Sequence, residues 1–201
     1  MELYYSPGAC SLAPHIVARE AGIPLELVRV DVKTKKTAGG EDFLAVNPKG
    51  YVPALRLDDG SILTEGPVVS QYLADRKPEA RLLPDAGTLD RYRVQEMMGY
   101  INSEIHKSYS PLFGPMPDDA RAEKVAYLRK RYALVERQLA GREWLVGESF
   151  TPADAYLFVV TQWAGYLKID LAEFPNLLAF QKRVKARPAV QEALRAEGLL
   201  K

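Results

Sequence analysis

The side chains best suited to nucleophilic or proton-transfer chemistry near neutral pH are scarce in this chain: one cysteine, Cys10, and two histidines, His15 and His106. Cys10 lies in Leu3-Tyr4-Tyr5-Ser6-Pro7-Gly8-Ala9-Cys10-Ser11-Leu12-Ala13-Pro14, where a short apolar strand turns and opens a helix. Pro14 is tolerated only in a first helical turn, where its missing N–H would have had no partner, so Cys10 or Ser11 falls at or next to the N-cap. A thiol there sits among unpaired N–H groups at the positive end of the helix dipole, which favours its thiolate. An isolated free cysteine is otherwise a small buried hydrophobe. The residue three positions on is Ala13 and no second cysteine exists, so a dithiol cycle is excluded and only monothiol chemistry remains. One cysteine and two distant histidines give no ligand cluster at metal spacing, and no metal site is expected.

The elements that must position these residues follow from pattern. Glu2 to Tyr5 reads as a strand, Ser11 to Ala21 as a helix stopped by Gly22, and Leu25 to Val30 as a second strand. Asp31 to Gly40, rich in Lys and Thr, reads as an exposed loop, followed by a helical turn from Glu41 to Val46 that stops at Asn47-Pro48. Pro53 to Leu57 and Ser61 to Leu63, joined through Asp58-Asp59-Gly60, form a hairpin, and a helix begins near Glu65. This β-α-β-α-β-β-α order describes a small mixed sheet covered by helices. Pro78 to Gly87 is the linker, which divides the chain into 1–77, 78–87 and 88–201. Beyond it every periodic segment is helical: Thr88 to Tyr109, Asp118 to Leu139, Pro152 to Leu167, Pro175 to Ala186 and a short helix after Pro188. Thr151-Pro152-Ala153-Asp154 is a capped helix start with the N3 carboxylate reaching back, a folding signal. The fold class is α/β followed by all-α.

Composition excludes several functions. The 201 residues carry 27 Lys+Arg against 26 Asp+Glu, a formal net charge of +1, so no overall field recruits nucleic acid or an anionic membrane. The most apolar run, Ala155 to Val160, is far short of the ~20 residues of a membrane span. The Met1-Glu2-Leu3-Tyr4 start has no secretory pattern, and a lone cysteine fits a reducing compartment, so a cytoplasmic location is expected.

The order of these elements, with Tyr5-Ser6-Pro7-Gly8-Ala9-Cys10-Ser11 at the first helix, Val52-Pro53 before the hairpin, Thr64-Glu65-Gly66 opening the next helix and the Thr151 cap in a helical second half, resembles the cytosolic glutathione transferases. Glu104-Ile105-His106-Lys107, together with the cysteine, resembles their bacterial beta class. The resemblance spans essentially the whole chain. It implies a thioredoxin-like N-terminal domain that binds glutathione as co-substrate, an all-helical domain with an electrophile pocket, a homodimer, and detoxification of small hydrophobic electrophiles without metal.

Residue by residue, the resemblance implies that Cys10 and His106 are catalytic. It also implies that glutathione contacts Cys10, Lys35, Val52, Glu65, Gly66, Ser103, Glu104 and His106. An extended tripeptide is well held by backbone pairing, and the resemblance implies a cis Val52-Pro53 bond that turns the Val52 N–H and C=O to the ligand's cysteinyl unit. On residues alone Pro53 suits an edge strand or strand start. Gly66 at a helix start suits a carboxylate, and by resemblance Glu65 pairs with the ligand's ammonium. Without the resemblance Glu65 is an acidic residue complementing the dipole, Lys35 a solvated charge in Lys33-Thr34-Lys35-Lys36, and His106 a structural histidine. His15 is read as structural. By resemblance Glu104 reaches a ligand bound by the neighbouring subunit. Gly99 stands where many beta-class chains have Asn, which removes one expected glutathione contact. Tyr109, Phe113, Met116 and Trp163 are the expected electrophile-pocket residues. Two further functions fit the same residues: a monothiol oxidoreductase or peroxidase working through a Cys10-glutathione mixed disulfide, and a non-catalytic protein-interaction module of the same fold.

Overall fold

The first strand, β1 (Glu2–Tyr5), buries Leu3, Tyr4 and Tyr5 in succession, the pattern of a strand covered on both faces. In the computed structural model, which describes residues 1–200, β1 is the centre of a five-stranded sheet in the order β3-β2-β1-β4-β5. It pairs in parallel with β2 (Glu26–Asp31) and antiparallel with β4 (Ala54–Arg56). β4 pairs antiparallel with β5 (Ile62–Thr64) across the expected Asp58-Asp59-Gly60 turn, closed by Leu57 N–H donating to Ser61 O at 2.9 Å. The remaining strand, β3 (Lys36–Thr37), lies in the segment that the sequence marks as loop. Its two residues are too few to show an alternation, and only pairing with Val30 and Asp31 makes them a strand.

Helices α1 (Leu12–Glu20), α2 (Phe43–Val46) and α3 (Gly66–Asp75) complete the expected order. Tyr4, Val30, Phe43, Val52 and Ala54 form one buried apolar cluster, so the segment before the hairpin is anchored from its side-chain side. Past a 3-10 turn at Pro78–Ala80 come α4 (Leu89–Tyr100), α5 (Lys107–Tyr109), α6 (Asp118–Gln138), α7 (Pro152–Tyr166), α8 (Pro175–Lys185) and α9 (Pro188–Ala196). α7 begins with the capping box read from sequence: Asp154 Oδ2 accepts from Thr151 N–H and Oγ1, both at 2.8 Å.

Two departures stand out. The helix expected from Thr88 to Tyr109 is regular only to Tyr100. Residues Ile101–His106 wind as a π-helix, and Ser110–Phe113 tighten into a 3-10 turn. The chain also divides differently. One compact unit is Met1–Leu83 together with the segment from Arg187 onward, and the other is Pro84–Ala186. α9, expected within a helical domain spanning 88–201, packs on α1 instead. Its amphipathic pattern buries Val190, Ala193 and Leu194, and such a pattern says that a helix needs a partner without saying which. Among the described residues no helix is long and apolar enough to cross a membrane.

Candidate active site

In the first unit the site is built at the exit of β1. The chain turns through Ser6–Ser11, and α1 opens at Leu12 with Ser11 as N-cap. Ser11 does not cap in the usual way. Its buried hydroxyl donates to Ser6 O at 3.3 Å and accepts from Ser6 N–H at 3.2 Å, closing the loop on itself. The C-terminal segment holds the same loop. Glu197, buried beside α1, accepts from Gly8 N–H at 3.0 Å through Oε2 and meets His15 Nδ1 at 3.0 Å through Oε1. His15 is therefore structural, as expected.

Cys10 is half-buried, and its Sγ lies 3.3 Å from Val52 O. At that distance the thiol donates to the Val52 carbonyl. The Val52-Pro53 peptide is cis, as the resemblance implies. Val52 is buried while Tyr51 before it is exposed.

Lys35 stands apart from its neighbours. Lys33 and Lys36 are solvated, whereas the Lys35 ammonium turns inward, donating to Gly50 O at 2.8 Å and lying 5.8 Å from the centre of the Tyr51 ring. Gly66 is the first residue of α3. Pro67 has no N–H, and Val68 and Val69 N–H both donate to Glu65 O at 2.9 Å, which leaves Gly66 N–H as the first-turn donor without an intrahelical acceptor. Glu65 has φ +70°, a left-handed backbone that costs a non-glycine residue of order 1–3 kcal/mol. Its carboxylate pairs with Lys49 Nζ at 2.8 Å, and the same ammonium donates to Thr64 Oγ1 at 2.9 Å.

In the second unit the π-helical segment gathers the residues singled out there. His106 Nδ1 is 2.6 Å from the Tyr156 hydroxyl, which donates to Asn102 Oδ1 at 2.9 Å. The imidazole also stands edge-on to Trp163, ring centres 4.9 Å apart. Burial first, and the Lys107 charge second, push the imidazole down to about 4, so it is neutral at physiological pH. Ser103 is exposed, and its hydroxyl donates to Gly99 O at 3.1 Å. Glu104 is occupied within its own chain: Oε2 accepts from the Tyr127 hydroxyl at 2.8 Å and forms an ion pair with Arg131 Nε at 2.9 Å. A Cβ added at Gly99 would meet nothing within 4 Å.

The four expected pocket residues separate. Phe113 is half exposed, with its ring 5.5 Å from that of Trp163 and 6.2 Å from that of Tyr166, and Met116 is partly exposed. Tyr109 is wholly buried, its hydroxyl 2.9 Å from that of Tyr132. It backs Trp163 edge-on at 5.5 Å and forms no open wall. Exposed Tyr166, one turn beyond Trp163, joins the aromatic surface in its place. Tyr156, Asn102 and Tyr166 were missed from sequence because an aromatic or amide within a helix carries no local mark of its partner. A cleft in this unit, about 550 Å³ and lined by residues including Arg93, Tyr100 and Gln138, contains none of the His106 group.

Comparison with known proteins agrees with this geometry. Residues 8–76 match the family model of the glutathione S-transferase N-terminal domain, and residues 100–188 that of the C-terminal domain. A relative from Escherichia coli O157:H7, glutathione S-transferase GstA, is 47% identical over 200 residues, covering 99% of this chain and all of the relative. A sphingomonad glutathione S-transferase complexed with glutathione superposes with a TM-score of 0.95 at 48% identity, covering 99% of this chain and 100% of that one. A beta class enzyme of Sphingomonas chungbukensis gives 0.96 at 45% identity, with both chains fully covered.

Proposed function

The chain belongs to the glutathione S-transferase family, and from that premise we infer how its own residues activate glutathione for conjugation to small hydrophobic electrophiles. The observation that carries the reading is the 3.3 Å contact of Cys10 Sγ with Val52 O. It puts a thiol donor and a peptide-pairing carbonyl at one spot. An extended ligand that pairs with Val52 takes this carbonyl for its own N–H and releases the Cys10 S–H toward the ligand's sulfur. Gly66 N–H and the α3 dipole suit the γ-glutamyl carboxylate, Glu65 the adjacent ammonium and Lys35 the glycyl carboxylate. Ser103 and Glu104 are the remaining candidates for the ligand's polar ends. Phe113, Met116 and Trp163, joined by Tyr166, offer the electrophile an apolar surface.

The nucleophile is the glutathione sulfur. A thiol of ordinary pKa ~8.5 is only a few per cent ionised at neutral pH, and lowering it by two units takes ~2.7 kcal/mol of preferential stabilisation of the thiolate. Cys10 donates one hydrogen bond to that thiolate. We assign His106 as the acceptor of the thiol hydrogen. Its low proton affinity limits the role: full transfer from an unperturbed thiol to an imidazole near 4 is uphill by ~6 kcal/mol. His106 thus accepts a hydrogen bond from the thiol without taking its proton, which leaves to solvent as the thiolate forms. A homodimer and a cytoplasmic location complete the proposal.

Isothermal titration with glutathione and a conjugation assay with a chlorinated dinitrobenzene test it. Saturable binding and turnover are expected; no binding at millimolar glutathione sinks it. Cys10→Ala is expected to retain conjugation with kcat lowered less than about tenfold, the share of one hydrogen-bond donor to the thiolate. A second activity is compatible with a single half-exposed thiol: Cys10 attacks glutathione disulfide, forming a Cys10-glutathione disulfide and releasing glutathione. Mass spectrometry after disulfide treatment detects that adduct, which Cys10→Ala abolishes.

A further inference from the structure

We propose that Tyr156 and Asn102 are positioning residues that hold His106 in the tautomer protonated at Nδ1, which leaves Nε2 as the ring nitrogen able to accept. This rests on the assignment of His106 above.

The hydrogens along this short chain of hydrogen bonds can be placed one by one. The Tyr156 hydroxyl has one hydrogen. Asn102 Oδ1, 2.9 Å away, can only accept, so that hydrogen lies between them. What the hydroxyl oxygen then offers His106 is a lone pair. A 2.6 Å approach between two lone pairs would be repulsive, so Nδ1 carries a hydrogen and donates it. In a neutral imidazole the other nitrogen, Nε2, is then bare.

Three elements keep this order. Asn102 and His106 sit four residues apart within the π-helical stretch Ile101–His106, a kind of distortion that recurs at functional sites. Tyr156 comes from the buried first half of α7 and is 3% exposed, so bulk water does not compete for its hydroxyl. The imidazole is flanked edge-on by Tyr156 and Trp163, with ring centres 5.8 Å and 4.9 Å away, which opposes its rotation. If the Asn102 oxygen is removed, the hydroxyl hydrogen can turn to Nδ1, and the proton of the imidazole must then reside on Nε2. The amide is thus the element that sets the direction of the whole chain.

The tautomer can be read directly from long-range 1H–15N spectra of the full-length protein. The chain has only two histidines, so an H106Q control assigns the signals. Wild type is expected to show protonated Nδ1 and bare Nε2 at His106. Asn102→Ala is expected to invert the pattern, and Asn102→Asp, which restores an acceptor, to return it. In the conjugation assay Tyr156→Phe and Asn102→Ala should each lower kcat about tenfold or more, with KM for glutathione changed less than about twofold, because the acceptor is misplaced while the binding groups are untouched. A protonated Nε2 in wild type overturns the proposal, as does Asn102→Ala with an unchanged spectrum and unchanged kcat. Full activity in H106Q also overturns it, but at its premise; that failure is recognisable because the wild-type spectrum would still show bare Nε2.

Discussion

Cys10 donates to Val52 O at 3.3 Å, and its proposed role turns on that bond: a sulfur that donates to a peptide carbonyl is well placed to exchange that acceptor for the sulfur of a ligand pairing with the same peptide. Glu65 shows the same exchange in ionic form. Its carboxylate holds Lys49 Nζ at 2.8 Å, where the proposed ligand would bring its own ammonium. Both partners are more than half exposed, so the pair is worth ~0.2–1 kcal/mol, and the ligand competes against little. Lys49→Ala is therefore expected to tighten glutathione binding by up to about fivefold and Glu65→Gln to weaken it, both read as Kd by titration. An unchanged Kd in both variants would remove Glu65 from the ligand set. These residues were legible because each stands beside a local signal: Cys10 before the first-turn Pro14, Glu65 before Gly66-Pro67. Tyr156 and Asn102 were not, since their pairing joins positions 54 apart and neither residue is unusual where it sits.

The elements themselves were legible wherever chain chemistry punctuates them. Gly22 closes the first helix, Asp59-Gly60 the hairpin, and Thr151-Pro152 opens α7; each expected boundary falls within a residue or two of the observed one. What escaped was decided by distant contacts: the two residues of β3, the π-helical winding of Ile101–His106, and the docking of α9 on α1. The last has an energetic consequence. Glu197 follows α9 and joins Gly8 N–H and His15 Nδ1 through its two oxygens, while Arg187 at the other end of α9 grips Glu20 at 2.6 and 2.8 Å. Removing the buried carboxylate strands two polar groups, each at a cost of ~1–3 kcal/mol. Glu197→Ala is expected to lose about 3 kcal/mol in urea unfolding. It should also raise KM for glutathione, because the loop that carries Cys10 loses its anchor. A variant with wild-type stability would show that the C-terminal segment merely rests on the loop.

At the scale of the whole molecule, two partly or fully buried groups make opposite demands on pH. Burial holds His106 near 4, and it pushes Asp154 up to about 6 despite the N–H and hydroxyl donors around its carboxylate. For His106 the unfolded state binds the extra proton between about 6.5 and 4, so this group costs nothing above 6.5 and removes stability as pH falls through that window. For Asp154 the folded state keeps the proton longer, so the group costs nothing below its unfolded value and removes stability as pH rises toward 6. Each displacement is roughly two units at ~1.4 kcal/mol per unit, on the order of 3 kcal/mol, and the two windows nearly coincide. Stability from these groups should thus be almost flat between pH 4 and about 6.5, one penalty replacing the other. Urea unfolding at a series of pH values checks this through slopes rather than levels. His106→Gln leaves the aspartate penalty alone, so its stability relative to wild type should decline as pH rises through the window. Asp154→Asn lowers stability at every pH by breaking the capping box, yet its remaining slope should have the reverse sign. Parallel curves for the two variants would show that one of these groups is not held away from water in the folded protein.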